Sequence, residues 1–459
     1  MTLLENFLKI VTDWKNVFAQ ARTTRRAVRQ ALGSLVCLGR RTLSRVIWTN
    51  GGEQRSWSAE YFLHSRAEWD PQQLFVPILE RALAWCPDRL VGVAVDDTRL
   101  RKTGLCIPQA FYQRDPLSPP FHWNLIRGLR FLQASLLLPL HRRAPVGSRA
   151  LPIRFQDAPA VKRPRRNAPR EEWRGYRDLV KQHNLSRLFA QMMGQLRQML
   201  DAAGAVSKIL VLAADGSFCN RTVFSAPRDR TEIIARARKD AGLCFRAPQP
   251  SRRFYAPDKF TPEQVRQDEA IPWLATKLFY GGKRRRIRYK EVGSVYWRTG
   301  ARRQPLRLFV VAPTPYRKRK SGRLYYRRPA YLLTTDLTSS AKPLLQIYFD
   351  RWQIEVNHRE EKDTLGVGQA QLWNETAVPK QPVLVVAAYS ALLLASLIAF
   401  GTERGEAYAQ LPKWRRHAKR PSCLDLITLL RKEMAEHPEI LSSYDVQPSD
   451  RGLVAAAAA

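Results

Sequence analysis

Two short, strongly apolar runs, LVGVAV at residues 90–95 and KILVLAA at 208–214, each stop at an aspartate. A run this short and this apolar reads as a strand covered on both faces. The first delivers Asp96-Asp97-Thr98 at its C-terminal end. The second delivers Asp215-Gly216, where the glycine permits a sharp turn directly after the carboxylate. Asp96 and Asp97 point to opposite sides of their strand, so only one of them can share a face with any given neighbour.

The intervening chain supplies the other elements. Strand-like stretches fall near 121–126 and 128–138. A basic, Pro-rich segment at 141–170, with KRPRR at 162–166, reads as a mobile loop able to touch DNA. Residues 172–203 read as strongly helical and 231–245 as a helix and a strand. A third carboxylate lies in 346–371, QIYFDRWQIEVNHREEKDTLGVGQAQ, which has no Pro, and no Gly before Gly366, and reads as a helix. With Tyr348 as zero, Arg351 falls at roughly −60°, Glu355 at −20° and Lys362 at −40° on that helix. A carboxylate among phenolic and cationic donors suits a site that binds a metal and grips phosphates. A solvated face with i,i+4 pairs is the plainer account of the same residues.

Charge narrows the partner. The chain has 459 residues, with 77 Lys plus Arg against 40 Asp plus Glu, for a formal +37. That balance favours nucleic acid over a membrane. Residues 271–335 hold 18 Lys plus Arg and a single acid, Glu291. They read as β-rich, with strands near 287–289, 294–298, 306–312, 325–326 and 331–335. The clustered Arg284, Arg285 and Arg286 are its candidate DNA contacts. The six cysteines contain no CxxC pair, which argues against a structural zinc site and for a reducing compartment. No signal peptide is visible at the N-terminus. Residues 382–400 are apolar enough to span a bilayer but read as a buried core helix.

The ends say less. Residues 1–88 read as helices made basic by Arg22, Arg25, Arg26, Arg29, Arg40, Arg41 and Arg45, fitting either a DNA-binding unit or a helical cap. Residues 401–459 read as a mixed helical tail, with an amphipathic stretch at 425–437 and a disordered run of alanines at the terminus.

The spacing of Tyr348, Arg351, Glu355 and Lys362 resembles the Y-R-E-K signature of bacterial insertion-sequence transposases of the DDE type. The resemblance spans roughly residues 89–400. It implies an RNase H-like core, a mixed sheet flanked by helices. Residues 89–270 and 336–400 would be its two parts, with 271–335 as the β-rich insertion this group carries before the catalytic helix. It also implies that Asp96, Asp215 and Glu355 are catalytic and hold two Mg²⁺ or Mn²⁺ ions, since oxygen-only ligands suit those metals. The family pattern favours Asp96 over Asp97 as the first carboxylate. Tyr348, Arg351 and Lys362 would grip phosphates, with Arg359 and His358 assisting. Trp297 would stack on an unpaired base or, equally in keeping with its type, belong to the core. The implied activity is metal-dependent cleavage and strand transfer on double-stranded DNA, at transposon ends and target. The implied enzyme is a homodimer in a bacterial cytoplasm, associated with the nucleoid. A nuclease that does not join strands and a non-catalytic DNA-binding protein are the alternatives.

Overall fold

Residues Val91, Val93 and Val95 face one side of the first strand and Gly92 and Ala94 the other, and all five are buried. Only a central strand can hide both faces, and the computed structural model places β1 (Leu90–Arg101) there. It describes residues 1–446 apart from 53–55, 116, 117, 120, 145, 320, 416 and 417. The terminal alanine run lies outside the described residues.

Beyond β1 come β2 (Phe111–Arg114), β3 (Leu125–Leu138), β4 (Arg149–Asp157), β5 (Ile209–Ala214) and β6 (Thr231–Arg236). Strand β3 runs antiparallel to β1 and to β4, while β5 and β6 run parallel to β1. The order β4-β3-β1-β5-β6 is an RNase H-like mixed sheet with helices on its faces. The remaining strands are β7 (Leu243–Arg246), β8 (Tyr255–Phe260), β9 (Leu274–Tyr280), β10 (Lys283–Tyr296), β11 (Pro305–Val311), β12 (Pro315–Arg317), β13 (Leu324–Tyr326) and β14 (Ala330–Thr334). Strand β14 pairs with β6, β11 with β14 and β10 with β11, so most of the basic segment continues the core sheet, while β12 and β13 pair with each other in a separate two-stranded sheet. Among the described residues, twelve strands share that one sheet.

Several local expectations are corrected. The helix expected at the start of 231–245 is β6. Ile233 and Ala235 pack on one side and Ile234 on the other, and the β-branched pair suits a strand buried on both faces. The basic segment at 141–170 holds β4, whose Leu151, Ile153 and Phe155 are buried. Residues 121–124 form a turn, and the strand before β3 is β2. The helix expected over 172–203 is two, Arg170–Gln182 and Leu185–Ala202, because Asn184 caps the second with a hydrogen bond to the Arg187 amide.

The apolar segment is a buried helix, Ala377–Phe400, lying across β4. Helices Leu3–Val11, Ala21–Val36, Trp57–Ser65 and Val76–Ala82 pack against it. Arg29 is buried there on Glu60 and the Tyr444 carbonyl, whereas Arg22, Arg25, Arg40 and Arg45 are exposed. The amphipathic stretch near the C-terminus forms helix Cys423–Glu436.

One contact sets the height of the helix that crosses the Gly92 face. A Cβ on Gly92 would meet the Ile347 side chain at 3.0 Å. We expect Gly92→Ala to cost about 1–3 kcal/mol by overpacking, read as a lower urea midpoint, with Ile347→Val in the same chain recovering part of it.

Candidate active site

The last in-register pairs of the parallel strands are Val95 with Ala214, and Ala214 with Ala235. The next residues along each strand are Asp96, Asp215 and Arg236. Neighbouring strands lie about 4.7–4.9 Å apart, so these three form a row where the parallel pairing of β1, β5 and β6 ends, halfway along β1, which continues beside β3 to Arg101. All three fall on the face that carries Gly92, Val211 and Ile234. Asp215 is further fixed by capping the turn at Gly216–Phe218, where its Oδ1 accepts from the Ser217 amide at 2.9 Å.

A helical path lies over this face. Ala341–Asp350 buries Leu344 and Leu345 against Val211, Ala213 and Ile234. It continues as Gln353–Arg359, with Ile354 on Ala94. Arg351 lies at the join. Its two terminal nitrogens stand 3.9 Å from Asp96 Oδ2 and 3.5 Å from Glu355 Oε1. One guanidinium thus spans a carboxylate from the sheet and one from the helix. Its Nη1 is buried without a hydrogen-bond partner among the described residues.

The electrostatics of the site show the same convergence. Burial, then the charge of Asp215, pushes the Asp96 carboxyl up to about 7 against the pull of Arg351. Burial raises Glu355 too, with Arg351 opposing and Asp215 adding to the rise. Burial also raises the Tyr348 phenol, which feels Arg351, Arg236 and Asp215. Asp97 is held elsewhere. It accepts from Arg130 at 2.9 Å and lies 3.6 Å from Arg99. Asp96 is therefore the carboxylate of the pair that faces Arg351.

The helix is less regular than its sequence suggests. Ile354 and Glu355 donate three residues back, to Arg351 and Trp352, and Leu365 donates five back, to Glu360. Residues Glu360–Thr364 form a π-turn, an irregularity frequent at functional sites. The uniform 100° per residue therefore fails beyond Arg359. Lys362 is exposed, and the charged or titrating neighbours it acts on are His358 and Glu361 rather than the three carboxylates. His358 is buried, and burial lowers it to about 3, so it is a neutral ring behind the site. Arg359 is exposed.

Four other expected contact residues lie away from the carboxylates. Trp297 is half-buried, edge-on to Phe224 with centroids 6.2 Å apart, and covers Gly300 so closely that a Cβ there would strike its ring. That packing is the core role of the two open to it. Arg284, Arg285 and Arg286 lie on the β9–β10 hairpin, where Arg284 lines a cleft at the opposite end of β1. Sequence reasoning missed Arg236, whose signal was a third apolar run, TEIIAR, ending on a charge. It also missed the buried Glu361, which accepts from Gln133 at 2.9 Å.

Beside Tyr348 and Arg351 opens a cleft of about 890 Å³ whose walls include Arg236, Arg327, Arg328 and Tyr280. A family profile described as DDE superfamily endonuclease matches residues 15–304, well over half of the chain. The chain belongs to that family. No curated protein matches it. DDE superfamily endonucleases act on DNA and generally use divalent metal ions.

The residues of this DDE chain fit such an ion. The donors are all carboxylate oxygens, which suit Mg²⁺ or Mn²⁺. Asp215 raises both Asp96 and Glu355, so the three share a field that a cation would relieve. Among the described residues no three ligands yet close on a single point, and Arg351 supplies the positive charge between two of them.

Two buried acids away from the carboxylate row give a pH test. Burial pushes Glu361 up to about 8 and Asp350 up to about 7. Groups raised above their unfolded values stabilise fully at low pH and lose that contribution as pH rises through the folded values. We expect these carboxyls to lower the urea midpoint progressively from about pH 4, where they ionise in the unfolded chain, to about pH 8, where Glu361 ionises in the folded one. Glu361→Gln, neutral at every pH, should shrink that fall and leave the part due to Asp350 and the raised carboxyls of the row.

Proposed function

We propose that this DDE endonuclease is a DNA transposase that cleaves and joins strands at the ends of an insertion sequence. The observation that carries the reading is the row Asp96, Asp215 and Arg236, with Glu355 brought to it through Arg351. Asp96, Asp215 and Glu355 are the residues that would hold Mg²⁺ or Mn²⁺. Bound there, divalent ions supply activation of the attacking oxygen and neutralisation of the leaving one at phosphorus.

The chain's own groups do the rest. Arg351 presents a planar fork with one unused nitrogen, suited to a phosphate oxygen pair. Arg236 and Tyr348 face the same place and would orient the backbone beside the scissile bond. The nearby His358 is uncharged and serves as packing rather than as a proton donor. Lys362, exposed on its π-turn, would meet the DNA away from the metal ligands. The proposal includes a homodimer holding two ends and a cytoplasmic enzyme on chromosomal DNA.

The test is a labelled duplex end incubated with Mg²⁺ or Mn²⁺, scored for nicks and for joined products. Asp96→Asn, Asp215→Asn and Glu355→Gln should each abolish cutting while keeping DNA binding. Asp97→Asn, at a carboxylate that pairs with Arg99 and Arg130, should cut. Arg351→Ala should lose about 1.5–3 kcal/mol of binding to the end, the worth of a hydrogen bond to a charged group. Cutting without joined products would make the chain a nuclease and remove the transposase half of the reading. Full cutting by Glu355→Gln would remove the site.

A further inference from the structure

We propose that a second cleft, at the N-terminal end of β1, binds the phosphate backbone of DNA flanking the cleavage site. The cleft encloses about 630 Å³ between the residues that lead into β1, the β9–β10 hairpin and the start of helix Ala341–Asp350. Arg89, Arg142, Lys277, Arg284 and Lys342 line it, with His141 in its wall. These cations come from segments far apart in sequence, so no single charged run explains their meeting. Two acids also line it. Asp88 is paired with Arg142 at 2.7 Å. Asp350 is buried and accepts from Ser148 at 2.7 Å and Gln346 at 3.0 Å. Arg89, Lys277, Arg284 and Lys342 keep no carboxylate partner among the described residues.

Two observations show that this charge has not been relieved. Lys277 lies directly opposite Arg286 across the hairpin, one strand position from Arg284 on the same face. Like charges facing across strands destabilise a sheet. His141 is lowered by burial first and then by Arg142, Arg284 and Lys342, so it feels a positive field. A polyanion would relieve both.

Position favours DNA over a small anion. Gly92 and Leu90 line the cleft and share a β1 face with Asp96, four and six residues on. At about 3.3 Å per residue that is about 13–20 Å. With 3.4 Å per base pair, a duplex lying along β1 would place its backbone here about four to six pairs from the cut. Phe279 and Asp350 line both this cleft and the one beside Arg351, so the two adjoin. The distance from the cut rests on the proposed cleavage reading. The binding itself does not.

The experiment measures duplex affinity against salt without divalent metal, so a chain that never cuts still reports on the cleft. A Lys277→Gln, Arg284→Gln, Lys342→Gln triple variant should reduce the slope of log affinity on log salt by about 2.7, at about 0.9 for each lost phosphate contact. Exchanging lysine and arginine at the same positions should keep the wild-type slope, which separates charge from folding. Asp96→Asn should also keep it. An unchanged slope in the Gln variant overturns the proposal. So does calorimetric binding of inorganic pyrophosphate that the Gln variant loses while its DNA slope is unchanged, which would make the cleft a free-phosphate site.

Discussion

Everything at the candidate site depends on parallel register. The parallel pairing of β1, β5 and β6 ends at one level, and the next residue on each strand is charged, while β1 itself runs on beside β3 to Arg101. Hydrogen-bonded pairing of Val95 with Ala214 and of Ala214 with Ala235 then brings Asp96, Asp215 and Arg236 into a row without any side chain having to reach. A slip of one residue would turn the row over to the other face of the sheet. Val211, Ala213 and Ile234 share the face that packs on Leu344 and Leu345, and a slip would break that packing.

This register explains what could be read in the sequence. The two aspartates were legible because each ends an apolar run, and Glu355 was legible because the Y-R-E-K spacing is sequence-local. The choice between Asp96 and Asp97 was open in the sequence, since both lie at the strand end. In the structure the two part: Asp97 pairs with Arg130 of β3 and with Arg99 on its own strand, and Asp96 faces Arg351 from the helical path. Arg236 was illegible for a related reason. TEIIARARKDAG has enough Ala, Arg and Lys to suit a helix, and only pairing with β5 makes its first half a strand. The same limit hid β4 inside a basic, Pro-rich segment. The Asn184 break was visible only as a weak capping signal within a long helical pattern.

The crossing helix has two tasks that a uniform helix cannot meet together. It must pack Ile347 on Gly92 and Ile354 on Ala94, and it must also bury Glu361 on Gln133, the partner of Asp96 across β1 and β3. Tightening at Arg351–Glu355 and widening at Glu360–Leu365 change the rotation twice along its length. The first change sets Arg351 and Glu355 one above the other at the carboxylate row. The second turns Glu361 inward and leaves Lys362 outside.

The basic segment extends the same argument from geometry to charge. Since β14 pairs with β6, strands β9, β10, β11 and β14 belong to the sheet that carries the carboxylate row, and only β12 and β13 stand apart from it. Arg327 and Arg328 stand just before β14 and Arg236 ends its partner β6, so three cations reach the cleft beside Tyr348 through one strand pair. On the other side, the edge of β9 is closed to further pairing by the Gln346 amide, which both donates to and accepts from the Phe279 backbone. The sheet therefore ends against the same helix that carries Arg351 and Glu355. Arg351, Glu355 and the Gln346-bound edge of the basic hairpin are therefore carried by one helical path, while Asp96 and Asp215 stay with the sheet.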